Sequence, residues 1–90
     1  MSYQVFWVPD AEQDLAAIWL DADDRRQVTN AAHAIDSTLQ IDPESAGESR
    51  DEGRRIFWEP PLGVIFVVSE PDRRVSVLNV WRFAPHRSRS

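Results

Sequence analysis

The chain of 90 residues has no cysteine, no lysine, only three glycines, and no apolar run near the ~20 residues of a membrane span. Without cysteine there is no disulfide framework and no thiolate metal site. The glycines, Gly47, Gly53 and Gly63, are too scattered to form a phosphate-cradling loop. His33 and His86 are the only histidines and lie far apart, so no metal or other cofactor is expected. Asp21, Asp23 and Asp24 resemble the start of a calcium loop, but the glycine and the terminal glutamate of that motif are missing, and helix-end roles fit them better. The opening "MSYQVFWVPD" has no basic segment running into an apolar one, so no signal peptide is expected, and a reduced, cytoplasmic setting follows.

The composition is that of one folded domain spanning 1–90, with 42% hydrophobic and 28% charged residues. The net charge of −5 conceals an asymmetry. Residues 1–49 hold ten acids and two arginines, a balance of −8, whereas residues 50–90 hold five acids and eight arginines, a balance of +3. Such a division implies one cationic surface on an acidic molecule. With no lysine, the cationic groups are arginines, which suit bidentate recognition of phosphate or carboxylate.

Residues Tyr3 to Val8 are aromatic and β-branched and predict a strand that Pro9 ends. Asp10 with Gln13 has the spacing of a capping box and predicts a helix start. Leu15, Ile18, Trp19 and Ala22 would form its buried face. Asp24 with Gln27 predicts a second helix, with Val28, Ala31, Ala32, Ile35 and Leu39 as its apolar stripe and Pro43 just beyond its end. Residues 42–53 read as a loop. Three strands follow, at Arg54–Glu59, Val64–Ser69 and Arg74–Phe83, joined by the turn signals "EPPLG" and "EPDR". The order β-α-α-β-β-β predicts an α+β domain, a helical hairpin on one face of a largely antiparallel four-stranded sheet. The middle strand, "VIFVV", does not alternate, so both its faces are suited to burial, and two helices can cover only one.

The candidate chemistry rests on arginine. Arg50, Arg54 and Arg55 surround the start of the second strand, Arg82 ends the last one, and His86, Arg87 and Arg89 follow it. Converging on one rim, they could hold a phosphate and stabilise the charge of 2′-hydroxyl attack without a metal, with His86 as acid or base. Arg54 and Arg55 equally fit surface pairs with Asp51, Glu52 or Glu59. Among the four tryptophans, Trp81 beside Arg82 is the candidate for base stacking, and Trp19 reads as core.

With these elements in place, the chain resembles the RelE/ParE superfamily of type II toxin–antitoxin toxins, also described as plasmid-stabilisation proteins. The resemblance covers nearly the whole chain. It rests on "VPDAEQDLAAIW", on "DP...AGESRDEGRRI", and on "PLGVIFVVSEPDRRVSVLNVWRF" with a trailing "HR". It implies a small cognate antitoxin laid over the toxin. It also implies one of two activities: metal-independent mRNA cleavage at the ribosome, as in RelE-like members, or inhibition of DNA gyrase, as in ParE-like ones. A catalytically inactive interaction module is the remaining alternative. For an endoribonuclease the resemblance matches Arg55, or Arg54 beside it, to a basic residue of the second strand, Arg82 to one ending the last strand, and Arg87 to the basic residue near the C-terminus. Gly63 stands where RelE-like toxins often carry an arginine, and the family's terminal tyrosine has no counterpart, since Tyr3 is the only tyrosine.

Overall fold

The computed structural model describes residues 2–83. Strand β1 (Gln4–Trp7) leads into helix α1 (Pro9–Asp21) and helix α2 (Arg25–Ile41). A short helix α3 (Pro43–Ala46), a two-residue strand β2 (Glu48–Ser49) and a 3-10 turn (Asp51–Gly53) follow, where the sequence suggested only a loop. Strands β3 (Arg54–Glu59), β4 (Leu62–Ser69) and β5 (Arg74–Arg82) complete the fold. The turn between β3 and β4 contains a cis peptide bond at Pro60–Pro61.

The sheet has five strands in the order β1-β5-β4-β3-β2 and is mixed. β3, β4 and β5 form an antiparallel meander, β2 adds to the outer edge of β3, and β1 lies parallel to β5, with Gln4 opposite Arg74 and Trp7 opposite Val77. The expected four-stranded sheet thus gains a short edge strand, the helical hairpin carries the chain from β1 across the sheet to β2 and β3, and β1 pairs in parallel with β5, which follows in the chain only after the other strands.

Strand alternation assigns the faces. Leu62, Val64 and Phe66 of β4 and Val75, Val77 and Val80 of β5 pack against Ala11 of α1 and Val28, Ala31, Ile35 and Leu39 of α2. The spacing of Val77 and Val80 breaks the alternation because the β4–β5 register slips at a bulge between Ile65 and Phe66, leaving Leu78 as the extra residue. The helical stripe of α2 is the one the sequence predicts.

Helix α1 departs from expectation at both ends. It begins at Pro9, after an extended Val8 that provides no side-chain cap. Proline has no N–H to satisfy and a preset φ, so it takes the first helical position, and the Asp10–Gln13 capping box does not form. Asp10 and Glu12 instead lie in the first turn, where the helix dipole favours negative charge. At the other end, the last turn of α1 has no basic residue of its own. Arg25 of α2 serves it, with Nε donating to the Trp19 carbonyl at 3.1 Å and Nη2 to the Leu20 carbonyl at 3.0 Å. Trp19, expected in the core, is 39% exposed and stacks under that guanidinium, 4.7 Å from ring centroid to Cζ. The α2 cap is as predicted: the Asp24 carboxylate accepts from the Gln27 backbone N–H at 3.2 Å.

Candidate functional site

The second face of the sheet has no helix over it among the described residues. Paired registers place Arg54, Ile56 and Trp58 of β3, Gly63, Ile65 and Val67 of β4, and Ser76, Asn79 and Trp81 of β5 on this face. At its β3–β4 turn end an aromatic cluster forms. The Trp58 ring lies edge-on to Trp81, with centroids 5.4 Å apart, and to Phe83, 5.0 Å apart. Gly63 lies beneath them: a Cβ there would come within 2.7 Å of Trp81 and 2.8 Å of Trp58. The glycine is thus the vacancy into which two indoles close. Trp58 is 45% exposed and presents the cluster to solvent.

The arginines distribute differently from the converging rim of the sequence reading. Arg54 is on the open face and forms an ion pair with Glu52, Nη1 to Oε1 at 2.9 Å. Arg50 pairs with Glu48 at 3.4 Å. Both pairs are solvent-exposed, of a kind worth about 0–1 kcal/mol. Arg55 sits opposite Phe66 and Ser49, so it lies on the helix side of the sheet. Its Nη2 donates to the Glu44 carbonyl at 2.5 Å and the Gly47 carbonyl at 2.7 Å. The guanidinium thereby fastens α3 and the start of β2 to β3. Its Nε is buried without a partner. Gly47 allows this close packing, because a Cβ there would lie 2.5 Å from the Ile56 carbonyl oxygen.

Arg82 is exposed at the end of β5, opposite Leu62. Leu62 and Phe66 are four positions apart on β4, about 13 Å at ~3.3 Å per residue, and β4 itself separates Arg82 from Arg55. Arg54, Arg55 and Arg82 therefore lie at different edges and on both faces. Trp81 belongs to the aromatic cluster, half-buried, and the exposed stacking surface is Trp58. His86, Arg87 and Arg89 lie outside the described residues. Among the described residues, no group of three His, Asp or Glu side chains is arranged to hold a metal. No helix among them is long and apolar enough to cross a membrane.

Sequence reasoning missed the carbonyl clamp of Arg55, since nothing local marks Glu44 and Gly47 as its acceptors. It also missed the aromatic closure over Gly63, which the shared face of residues 58, 63 and 81 would have revealed had the β3–β4–β5 register been known.

A helical hairpin packed on one face of a five-stranded mixed sheet is a RelE/ParE-like fold. The toxin–antitoxin complex RelBE2 from Mycobacterium tuberculosis is similar at a TM-score of 0.79, with 18% identity over 94% of this chain and 95% of that one. The chromosomal ParDE toxin–antitoxin system from P. aeruginosa is similar at 0.68, with 20% identity over 91% and 97%. The isolated E. coli RelE toxin matches at 0.56, with 12% identity over 94% and 88%. No family model and no curated protein matches the sequence.

Proposed function

We propose that this chain is the toxin of a type II toxin–antitoxin system, that a small cognate antitoxin neutralises it in the cytoplasm, and that it acts by binding a target protein. The likeness to both RelE and ParE structures over nearly the entire chain supports the toxin reading. Two observations favour protein contact over RNA cleavage: Arg55 is committed to main-chain carbonyls, and tryptophans close over Gly63. A phosphate gripped in a transition state needs several cations converging on one point, and the described arginines are spread over both faces. The acidic balance of −5 also opposes approach to an anionic ribosome. An exposed indole on an apolar sheet face, by contrast, is the usual anchor of a protein interface. DNA gyrase, the target of ParE-like toxins, is the first candidate.

Induced expression is expected to arrest growth, and co-expression of a small adjoining reading frame to restore it. Purified protein should inhibit gyrase supercoiling in proportion to dose and leave mRNA in a translating lysate uncut. New mRNA 5′ ends that disappear in a folded Arg82→Ala variant would overturn the protein-contact reading in favour of the endoribonuclease. Absence of any growth effect at high expression of folded protein would remove the toxin reading itself.

A further inference from the structure

The helical hairpin carries a groove on the side away from the aromatic cluster. Leu15, Ala16 and Trp19 of α1 and Val28 and Ala32 of α2 line it, together with Trp7 of β1. Its volume of about 540 Å³ lies within the ~300–1,000 Å³ of sites that bury ligand groups. Both indoles are fixed in advance. Trp7 Nε1 donates to Asp36 Oδ1 at 3.0 Å, Trp19 Nε1 donates to Thr29 Oγ1 at 3.2 Å, and Arg25 holds the Trp19 ring from above. A partner entering the groove therefore need not order them.

Charge determines which partner fits. Glu12 and Asp36 line the groove, and neither forms an ion pair among the described residues. Residues 9–41 carry seven acids against two arginines, and Arg25 is turned onto the α1 carbonyls. Such a surface repels nucleic acid and repels a second copy that presents the same hairpin. It attracts a cation placed beside an apolar anchor, the pattern of a basic amphipathic helix lying in a groove.

We propose that this groove docks a basic amphipathic segment of a partner protein. A leucine or aromatic anchor sits between Trp7 and Trp19, and a lysine or arginine one helical turn away meets Glu12 and Asp36. The proposal stands independently of the toxin reading, since it requires only the hairpin.

The test is selection of random displayed peptides on the full chain, with counter-selection on an Ala16→Arg variant. Ala16 is exposed on α1, so the arginine fills the groove without removing core. Enriched peptides should place lysine or arginine three or four residues from leucine or an aromatic. Adding such a peptide should move the indole N–H resonances of Trp7 and Trp19 and leave those of Trp58 and Trp81 in place. Glu12→Lys, checked for an unchanged fold, should weaken binding on the order of fivefold or more. The proposal is overturned by an absence of enrichment, by enrichment of acidic peptides, by shifts centred on Trp58 and Trp81, or by affinity unchanged in both variants. Concentration-dependent shifts of Trp7 and Trp19 without peptide would assign the groove to a second copy and overturn it as well.

Discussion

Replacing Gly63 with alanine puts a methyl group 2.7 Å from Trp81 Cε2 and Cζ2 and 2.8 Å from Trp58 Cζ3. Carbon atoms rest about 3.5–4.0 Å apart, so the rings must withdraw by roughly 0.7–1.3 Å. Overpacking of this size costs about 1–3 kcal/mol, and alanine in a strand returns about 0.5–1 kcal/mol of the glycine's conformational entropy. The net expectation is a loss of up to about 2.5 kcal/mol, which for a domain of this size lowers the melting temperature by about 4–8 °C per kcal/mol. Trp58, being exposed, can swing aside; Trp81 is the ring that resists. Thermal melts of Gly63→Ala in the wild-type and Trp81→Leu backgrounds separate the contributions, and near-UV circular dichroism reports the indole pair directly. The penalty should shrink by about half or more once Trp81 is gone, as expected for residues in contact. An equal fall in both backgrounds, or a gain in stability in the wild-type background, would refute the argument that the glycine exists to admit the rings. The same geometry predicts that Gly63→Arg unfolds or splays this end of the sheet rather than creating a phosphate site.

Arg55→Lys and Arg55→Ala should each lower stability, by about 1–3 kcal/mol for the alanine, and speed amide exchange across residues 43–49, because the shorter lysine side chain does not bring its ammonium to the place of Nη2, which donates to both carbonyls. A normal melt with altered activity alone would show that Arg55 serves chemistry instead. Arg25→Ala should cost about 1 kcal/mol and loosen the last turn of α1, which exchange at the amides of 22–24 would show; unchanged exchange would deny the inter-helix cap. The hydrogen bond from Tyr3 Oη to Glu70 at 2.8 Å, then partial loss of hydration, then the nearby Glu70 charge hold the phenol above its ordinary range. Folding thus favours the protonated phenol, so this pair's contribution is complete at neutral pH and is lost as pH rises through the folded-state value. Because the chain has one tyrosine, its phenolate absorbance gives the titration directly, and Glu70→Ala should bring the midpoint down; an unmoved midpoint would contradict the assignment.

Local rules served where the signal was local. Asp24 with Gln27, the stripe from Val28 to Leu39, and β3 at Arg54–Glu59 could all be read from spacing alone. At Pro9 two local rules competed: proline as the end of a strand and proline as the first residue of a helix, and the second took precedence over the Asp10 box. Trp19 satisfied helical periodicity, yet its ring packs on Arg25 and Thr29 at the margin, because periodicity gives direction and not depth. The family resemblance anticipated the architecture. The placement of the arginines could not be anticipated, since it depends on strand register and on carbonyls eight and eleven residues away from Arg55.

The parallel pairing of β1 with β5 has a kinetic corollary. Synthesis makes β5 after the other four strands, yet it supplies the neighbour of both β1 and β4 and the surface on which α1 rests. Val5 must wait for Val75, a span whose closure entropy is unrewarded until the meander exists. A chain interrupted before residue 74 therefore has helix α1 without the strand it rests on and a first strand without a neighbour. Such fragments are substrates for proteolysis rather than partly working molecules. If the whole protein is harmful to its host, the cell meets that harm only once the final strand has been made.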